Sequence, residues 1–210
     1  MKNDEYRVDL VSKYITQLNL SEDIKNYFLG RNILVTGGAG AIGSNLVIAL
    51  SELVGQTGIV IVLDNLSAIK GDDPIDYPSL VNVMFVNGDI RNDVDLKRVF
   101  REGPTIIFHL AAFFANQNSV DYPENSADVD IKGMIKLLDL AQFTKVERFV
   151  YASSGCAVYG SYGKMPLKED FISMHLTTPY QINKMAGEMY SNFYFHHYGL
   201  KTVNCRFFNS

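Results

Sequence analysis

Short apolar runs alternate along this chain with longer stretches in which apolar residues recur every three or four positions. The short runs predict buried strands and the longer stretches predict amphipathic helices. The predicted strands are 33–36, 59–64, 83–89, 106–112, 148–154 and 202–207, and the helices after the first strand are 44–54, 93–100, 125–143 and 178–198. Nearly continuous apolar strands that alternate with helices indicate a parallel sheet covered on both faces. We therefore expect an α/β fold with a Rossmann-type, doubly wound parallel sheet.

The first 30 residues precede this pattern. Apolar residues from Val8 to Leu18 recur at helical spacing, and Ser21 has the character of an N-cap before a second short helix, Ile24 to Leu29. We expect 1–30 to form a helical arm on the domain surface and 31–210 to form the main domain. An arm that binds a partner is the alternative.

Composition narrows the class of protein. The 210 residues are 47% hydrophobic and 20% charged, with a net charge of −4 and no basic stripe, which argues against nucleic acid as a partner. Cys156 and Cys205 do not form a secreted-type disulfide framework and lack metal-ligand spacing. No apolar run approaches the roughly 18 residues of a membrane span. We expect a cytoplasmic protein without a metal or a membrane partner.

A glycine-rich turn follows the first strand. Gly38, Gly40 and Gly43 satisfy the spacing G-x-G-x-x-G, and Gly37 opens the related spacing G-x-x-G-x-x-G. The three glycines of such a turn permit a tight turn, backbone approach to a pyrophosphate, and close packing of helix on strand. The N–H groups that open the following helix then face the phosphate. A structural glycine turn without a ligand is the alternative.

Asp64 ends the second strand about 20 residues after this turn, where a ribose-binding carboxylate is expected. A carboxylate there accepts hydrogen bonds from a ribose 2′-hydroxyl and repels a 2′-phosphate, so it favours NAD over NADP. A helix cap or an ordinary loop acid is the alternative. Like Asp64, the acid Asp89 and the serines Ser153 and Ser154 fall at strand ends, the edge at which parallel sheets bind ligands.

Tyr180 and Lys184 lie four residues apart on a predicted helix and therefore share a face. An ammonium group near a phenol favours the phenolate and lowers the phenol pKa. Such a phenol can take a proton from a sugar hydroxyl while hydride leaves for a nicotinamide. Ser153 or Ser154 could orient the same hydroxyl. A surface tyrosine with a solvated lysine, and two polar residues ending a strand, are the alternatives.

Together these motifs resemble the extended short-chain dehydrogenase/reductase superfamily, specifically the NAD-dependent epimerase/dehydratase group that acts on nucleotide sugars. The resemblance spans residues 33–209, and its order and spacing are highly specific. It rests on Thr36-Gly-Gly-Ala-Gly-Ala-Ile-Gly43, Asp64-Asn-Leu-Ser67, Gly88-Asp-Ile90, His109-Leu-Ala-Ala112, Ser153-Ser154, Val158-Tyr-Gly160, Tyr180-x-x-x-Lys184 and Arg206-Phe-Phe-Asn209. The segment 64–67 is similar to that of UDP-glucose 4-epimerases.

The resemblance implies roles at matched positions. It implies pyrophosphate contacts by Gly37, Gly40, Ala41 and Ile42. It implies adenosine contacts by Asp64, Asn65, Asp89 and Ile90, and a cofactor path lined by Leu110, Ala111 and Ala112. Tyr180 would be the acid/base, Lys184 would bind the nicotinamide ribose and tune Tyr180, Ser154 would be catalytic and touch the substrate, and Asn209 would lie near the sugar nucleotide.

The chain also departs from the family pattern. Gly155 occupies the usual position of the catalytic Ser or Thr, so Ser154 must supply the hydroxyl through a one-residue shift. Cys156 and Ala157 replace the Asp-Glu pair of the 4,6-dehydratases, which argues against that activity. A frequent asparagine is replaced by Asp130. Relatives continue into a smaller sugar-binding subdomain, so the domain is expected to be C-terminally incomplete, with that subdomain missing.

The resulting hypothesis is an NAD-dependent nucleotide-sugar 4-epimerase that forms a transient keto-sugar, with a UDP-sugar as substrate. The resemblance implies a homodimer when the protein is complete, with Tyr190, Phe193, Tyr194 and Tyr198 as candidates for the contact. Residues 1–210 alone are expected to bind NAD without epimerising. The alternatives are a related decarboxylase, dehydratase or oxidoreductase, or a non-catalytic NAD-binding scaffold, and the identity of the sugar stays open.

Overall fold

A computed structural model of the chain describes residues 2–68, 80–113, 116–160 and 166–208. The chain divides into two compact units, residues 1–110 and 111–210. The division differs from the arm and domain expected from the sequence, which remain a prediction. We describe each unit by itself.

The first unit alternates helices with strands. Its helices are α1 Lys2–Gln17, α2 Glu22–Phe28, α3 Ala41–Val54 and α4 Asp93–Phe100. Its strands are β1 Asn32–Thr36, β2 Ile59–Asp64, β3 Val83–Asn87 and β4 Ile106–His109. Both sets agree with the predicted elements, although β3 and β4 end two and three residues earlier than expected.

The four strands pair in parallel in the order β3-β2-β1-β4. The register places Thr36 level with Leu63 on one side and with His109 on the other. Strands β1 and β2 are largely apolar and almost fully buried, which is typical of a parallel sheet covered on both faces. The strand order reverses between β1 and β4, and sheets of this type bind ligands outside the carboxyl ends of the strands at that point.

The N-terminal arm consists of two helices, as predicted. Ser21 caps α2 by accepting a hydrogen bond from the N–H of Ile24. Helix α1 lies against α3, where Arg7 donates one hydrogen bond to Asn45 Oδ1 at 3.0 Å and another to the hydroxyl of Ser44. The arm is therefore attached to the helix that follows the glycine turn.

The second unit contains two parallel strands, β5 Arg148–Ser154 and β6 Thr202–Phe207. Its helices are α5 Asn116–Asp121, α6 Pro123–Ala127, α7 Met134–Phe143, α8 Gly155–Tyr159 and α9 Pro179–Tyr198. Helix α9 begins with a capping box formed by Thr178 and Gln181, and Pro179 occupies its first turn. In the described ranges, no helix is long and apolar enough to cross a membrane.

Three features of this unit were not predicted. The expected continuous helix 125–143 is interrupted by a π-helical turn, Asp128–Gly133, between α6 and α7. The short helices α5 and α8 were missed because neither has enough residues to show a helical period. Single π-turns are frequent at functional sites, and the turn here carries a buried acid, Asp130.

Candidate active site

Contacts with neighbouring backbone atoms fix the conformation of the glycine turn. Gly37 has a φ of 70°, and its N–H donates to the carbonyl of Leu63 at 2.9 Å. A Cβ on Gly43 would lie 2.2 Å from the carbonyl oxygen of Gly37. Gly40 is the N-cap of α3, and Ala41 and Ile42 open the helix with exposed side chains. The four predicted pyrophosphate residues thus lie together at the start of an apolar helix with no acid in its first turn.

Asp64 ties this turn to the end of β2. One carboxylate oxygen accepts the N–H of Ala39 at 2.8 Å, and the other accepts the N–H of Leu66 at 2.8 Å. A carboxylate offers about four acceptor sites. Two sites therefore remain for the hydroxyls of a ribose, so the structural and ligand-binding interpretations of Asp64 are compatible.

Asp89 and Asn65 meet at the same end of the sheet. The Asn65 amide donates to Asp89 Oδ2 at 2.9 Å, and Ile90 beside it is buried. Arg91 binds the Asp89 carboxylate with both arms of its guanidinium, at 2.9 and 2.7 Å. This hydrogen bonding by Arg91 is the largest cause that lowers the pKa of Asp89, to about 2. Arg91 was missed by the sequence reasoning, although an Arg two residues from a strand-end acid is a readable signal.

The phenol–lysine pair lies on α9, as the spacing predicted. Lys184 is 5% exposed, and its Nζ donates to the carbonyl of Ala152 at 2.8 Å and lies 5.8 Å from the centre of the Tyr180 ring. The backbone N–H of Tyr180 donates to Ser119 Oγ at 3.1 Å. Helix α5 therefore fixes the first turn of α9.

The pKa values of this pair differ from the sequence expectation. Burial is the largest influence on both residues: it raises the pKa of Tyr180 and lowers that of Lys184. Hydrogen bonding with Ser154 opposes the effect on Tyr180 but does not overcome it. The expected lowering of the phenol pKa by Lys184 is not found, because the ammonium group binds a carbonyl of β5 and both groups are removed from water.

The two serines at the end of β5 have different partners. Ser153 donates to Oε1 of Glu188 at 2.5 Å, and Glu188 also binds the guanidinium of Arg206 through both oxygens. Ser154 caps α8 by accepting the N–H of Ala157, and its hydroxyl acts to lower the pKa of Tyr180. Ser154 is thus the serine beside the phenol, whereas Ser153 belongs to a buried ion-pair network.

Phe208 gives a physical reason for the shifted serine. A Cβ on Gly155 would lie 2.6 Å from the ring of Phe208, so a side chain at that position would have to displace this ring. The packing of this ring is thus compatible with glycine at position 155 and with a hydroxyl supplied by a neighbouring position. Asn209, predicted to bind substrate, lies outside the described residues.

The segment after β4 contains the last predicted cofactor residues. In the first unit, the N–H of Leu110 donates to the carbonyl of Thr36 at 3.0 Å, which continues the pairing of β1 with β4. In the second unit, Ala111 and Ala112 are half-buried. They precede Phe113, whose N–H donates to Asp130 Oδ1 at 2.7 Å. No sequence motif predicted this contact.

Comparison with known proteins decides the family. The model of the NAD-dependent epimerase/dehydratase family matches residues 33–210. The chain belongs to that family. This confirms the resemblance drawn from the motifs, and the predicted cofactor, NAD, is the cofactor of the family.

Individual relatives support the same family assignment. A UDP-glucose 4-epimerase of Mycolicibacterium smegmatis is 38% identical over 168 residues, which are 80% of this chain and 52% of that protein. The structure of an epimerase from Methanothermobacter thermautotrophicus superposes with a TM-score of 0.83 at 49% identity, over 89% of this chain and 54% of that one. The structure of the Thermus thermophilus UDP-glucose 4-epimerase in complex with NAD gives a TM-score of 0.71 at 36% identity, over 83% and 54%.

These superpositions confirm the Rossmann-type fold. The chain spans about half the length of the relatives it matches. The roles of the individual site residues remain predictions.

Proposed function

We propose that this chain is the NAD-binding part of a nucleotide-sugar 4-epimerase, with Tyr180 as its acid/base. The observation that supports this best is the arrangement around the phenol: the buried Lys184 lies over the Tyr180 ring on the same helix, and Ser154 acts to lower the pKa of the phenol. A non-catalytic scaffold would have no use for this arrangement.

The residues have separate tasks in the reaction. Ser154 orients the 4-hydroxyl of the sugar, and Tyr180 takes its proton as the C4–H bond breaks. NAD, when bound, would supply the hydride acceptor and donor for C4 of the sugar. Tyr180 then gives the proton back to the C4 oxygen, and the ammonium of Lys184 holds the nicotinamide ribose.

The alternative decarboxylase and dehydratase activities receive less support. A decarboxylase needs a free acid near the serine, and the described acid closest to the serines, Glu188, is paired with Arg206 and directed at Ser153. For a dehydratase, Cys156 and Ala157 stand where an acid pair is expected. The names of the relatives favour a UDP-sugar as substrate.

A homodimer in the complete protein is part of this proposal. Ile182, Met189 and Phe193 are exposed and lie seven and four residues apart on α9, which places them on one face. Tyr194, which the sequence included in the dimer candidates, is buried and donates to Asp139 of α7. The contact is therefore expected on the Met189 side of the helix.

Cofactor choice is tested by isothermal titration of the chain with NAD and with NADP. We expect NAD to bind more tightly, because a 2′-phosphate would meet the Asp64 carboxylate, and Asp64→Asn to reduce the preference by about tenfold by removing the charge. Tighter binding of NADP by the wild type would overturn the assignment. Interconversion of UDP-glucose and UDP-galactose, assayed in the full-length protein, tests the reaction.

A further inference from the structure

Arg7 of the N-terminal arm contacts the helix that opens the proposed cofactor site. The family model begins at residue 33, so the arm lies outside the matched segment. From α1, the Nε of Arg7 donates to Asn45 Oδ1 on α3 at 3.0 Å, and its Nη2 donates to the hydroxyl of Ser44. Ser44 is buried and Arg7 is half-buried. One guanidinium therefore holds two neighbouring side chains of α3.

Both acceptors pass this contact on to the start of α3. Ser44 Oγ donates to the carbonyl of Gly40 at 2.7 Å, and Asn45 Nδ2 donates to the carbonyl of Ala41 at 2.8 Å. Gly40 caps α3, and Ala41 is the first residue of the helix. Hydrogen bonds in a chain polarise one another, so the bonds from Arg7 strengthen those made by the hydroxyl and the amide. Two parallel bridges thus run from the arm to the glycine turn.

These bridges also fix the N–H groups that are expected to bind the pyrophosphate. A peptide unit is planar, so a hydrogen bond that holds its carbonyl oxygen also holds the N–H of the next residue. The carbonyl of Gly40 shares a unit with the N–H of Ala41, and the carbonyl of Ala41 shares one with the N–H of Ile42. The first N–H groups of a helix have no acceptor within it and are the groups that bind phosphate.

The charge of Arg7 acts in the same direction. Both acceptors are neutral oxygens, so these two hydrogen bonds do not neutralise the guanidinium. The first turn of α3 contains no acid. A cation near the positive end of a helix dipole is unfavourable by itself, whereas an anion bound there is attracted by both the dipole and the cation. The arrangement therefore suits a helix whose first turn binds a negatively charged group.

We propose that Arg7 is a positioning residue of the cofactor site: it fixes the first turn of α3 for the pyrophosphate of NAD and contributes positive charge beside it. The inference rests on the proposed function. It gives the N-terminal arm a task in cofactor binding.

The test compares Arg7→Met with Lys13→Met, a matched control on the same helix. Lys13 pairs with Asp9 of α1 at 2.6 Å, so its replacement removes the same charge from the arm and leaves the bonds of Arg7 in place. The wild type and both variants are titrated with NAD, ADP and adenosine. We expect Arg7→Met to lose about fivefold in affinity for NAD and ADP, which contain the pyrophosphate, and to bind adenosine like the wild type. Lys13→Met should match the wild type with all three ligands.

Thermal unfolding separates positioning from a general role in stability. A ligand that binds the folded chain raises the unfolding temperature by an amount that grows with its affinity. We expect the rise caused by NAD to be smaller for Arg7→Met than for the wild type. An Arg7 that served only to attach the arm would instead lower the unfolding temperature of the ligand-free variant and leave its affinity for all three ligands unchanged.

Arg7→Lys provides the conservative variant. Lysine keeps the positive charge but lacks the planar fork with which arginine binds two acceptors at once. We therefore expect its NAD affinity to lie between those of Arg7→Met and the wild type.

Two results would overturn the inference. One is an NAD affinity of Arg7→Met equal to that of the wild type, and the other is an equal loss of NAD and adenosine, which would indicate that the variant disturbs the whole unit. If Arg7→Met does not fold, Arg7→Lys decides, and wild-type NAD affinity in that variant would contradict the inference. A wild type that binds neither NAD nor ADP would instead refute the proposed function.

Discussion

The glycine turn of the first unit and the Ser154–Tyr180–Lys184 cluster of the second are made from different groups. The turn presents backbone N–H groups, and its glycines matter because a side chain would collide with neighbouring backbone. The cluster presents a serine hydroxyl, together with a phenol and an ammonium whose pKa values are set mainly by burial. The space available for side chains therefore determines the structure of the first site, whereas hydrogen bonding and charge determine the properties of the second.

Tyr180→Phe should produce the largest effect and separate the two sites most clearly. The phenylalanine keeps the ring that packs beside Lys184 but cannot move a proton. Loss of a general acid/base costs about 10²-fold to 10⁴-fold in rate, so we expect turnover of the full-length protein to fall in that range while NAD affinity stays near the wild-type value. Turnover within threefold of the wild type would remove Tyr180 from the mechanism.

The two serines of β5 allow a sharper comparison within the second unit. Ser154→Ala removes the hydroxyl nearest the proposed acid/base, and we expect a loss of about 10²-fold in turnover. Because that hydroxyl also caps α8, we expect a cost of about 0.5–2 kcal/mol of unfolding free energy as well. Ser153→Ala leaves the buried Glu188–Arg206 pair without one donor, and we expect it to cost about 1–3 kcal/mol of unfolding free energy. Turnover assays and urea denaturation of both variants measure the contrast, and equal turnover would contradict the shifted-serine assignment.

Two glycines of the turn offer the matching experiment in the first unit. In Gly43→Ala the new Cβ would meet the Gly37 carbonyl at 2.2 Å, so we expect about 1–3 kcal/mol of destabilisation. In Gly40→Ala the nearest atom is 3.4 Å away and φ is −72°, so the fold should tolerate it. NAD binding should nevertheless weaken, because Gly40 lies where a pyrophosphate approaches the backbone.

Thermal unfolding and titration with NAD separate these two effects. A Gly40→Ala variant that binds NAD like the wild type would show that the turn is structural. A Gly43→Ala variant as stable as the wild type would show that the helix can withdraw from the turn.

The smallest effect is expected at Asp89. Its pKa is lowered to about 2, so the carboxylate stabilises the folded chain above its ordinary pKa, and that contribution is lost as the pH falls through about 2. The group is partly exposed, so Asp89→Asn should change stability at neutral pH by less than about 1 kcal/mol. Acid titration followed by circular dichroism should show a shallower acid transition for the variant, and a steeper one would contradict the assignment.

The difference between the glycine turn and the Ser154–Tyr180–Lys184 cluster also explains which features could be predicted from the sequence. Strands β1 and β2 are nearly all apolar, and the glycine turn has fixed spacing, so local patterns were sufficient for the first unit. The π-helical turn and the contacts of Asp130 depend on residues up to 53 positions apart, Asp130 and Asn183 among them, that meet only after folding. Similarly, the pKa of Tyr180 could not be predicted from its spacing to Lys184, because burial, which the spacing does not show, is the largest influence on it.

The attachment of the N-terminal arm also has a dynamic consequence. Arg7 binds Ser44 and Asn45, and Ser44 Oγ in turn donates to the carbonyl of Gly40 at 2.7 Å. This chain of contacts runs from α1 to the residue that caps α3. Segments joined in this way tend to open together as one cooperative unit. The amide hydrogens of the arm and of the first turns of α3 should therefore exchange with solvent at linked rates.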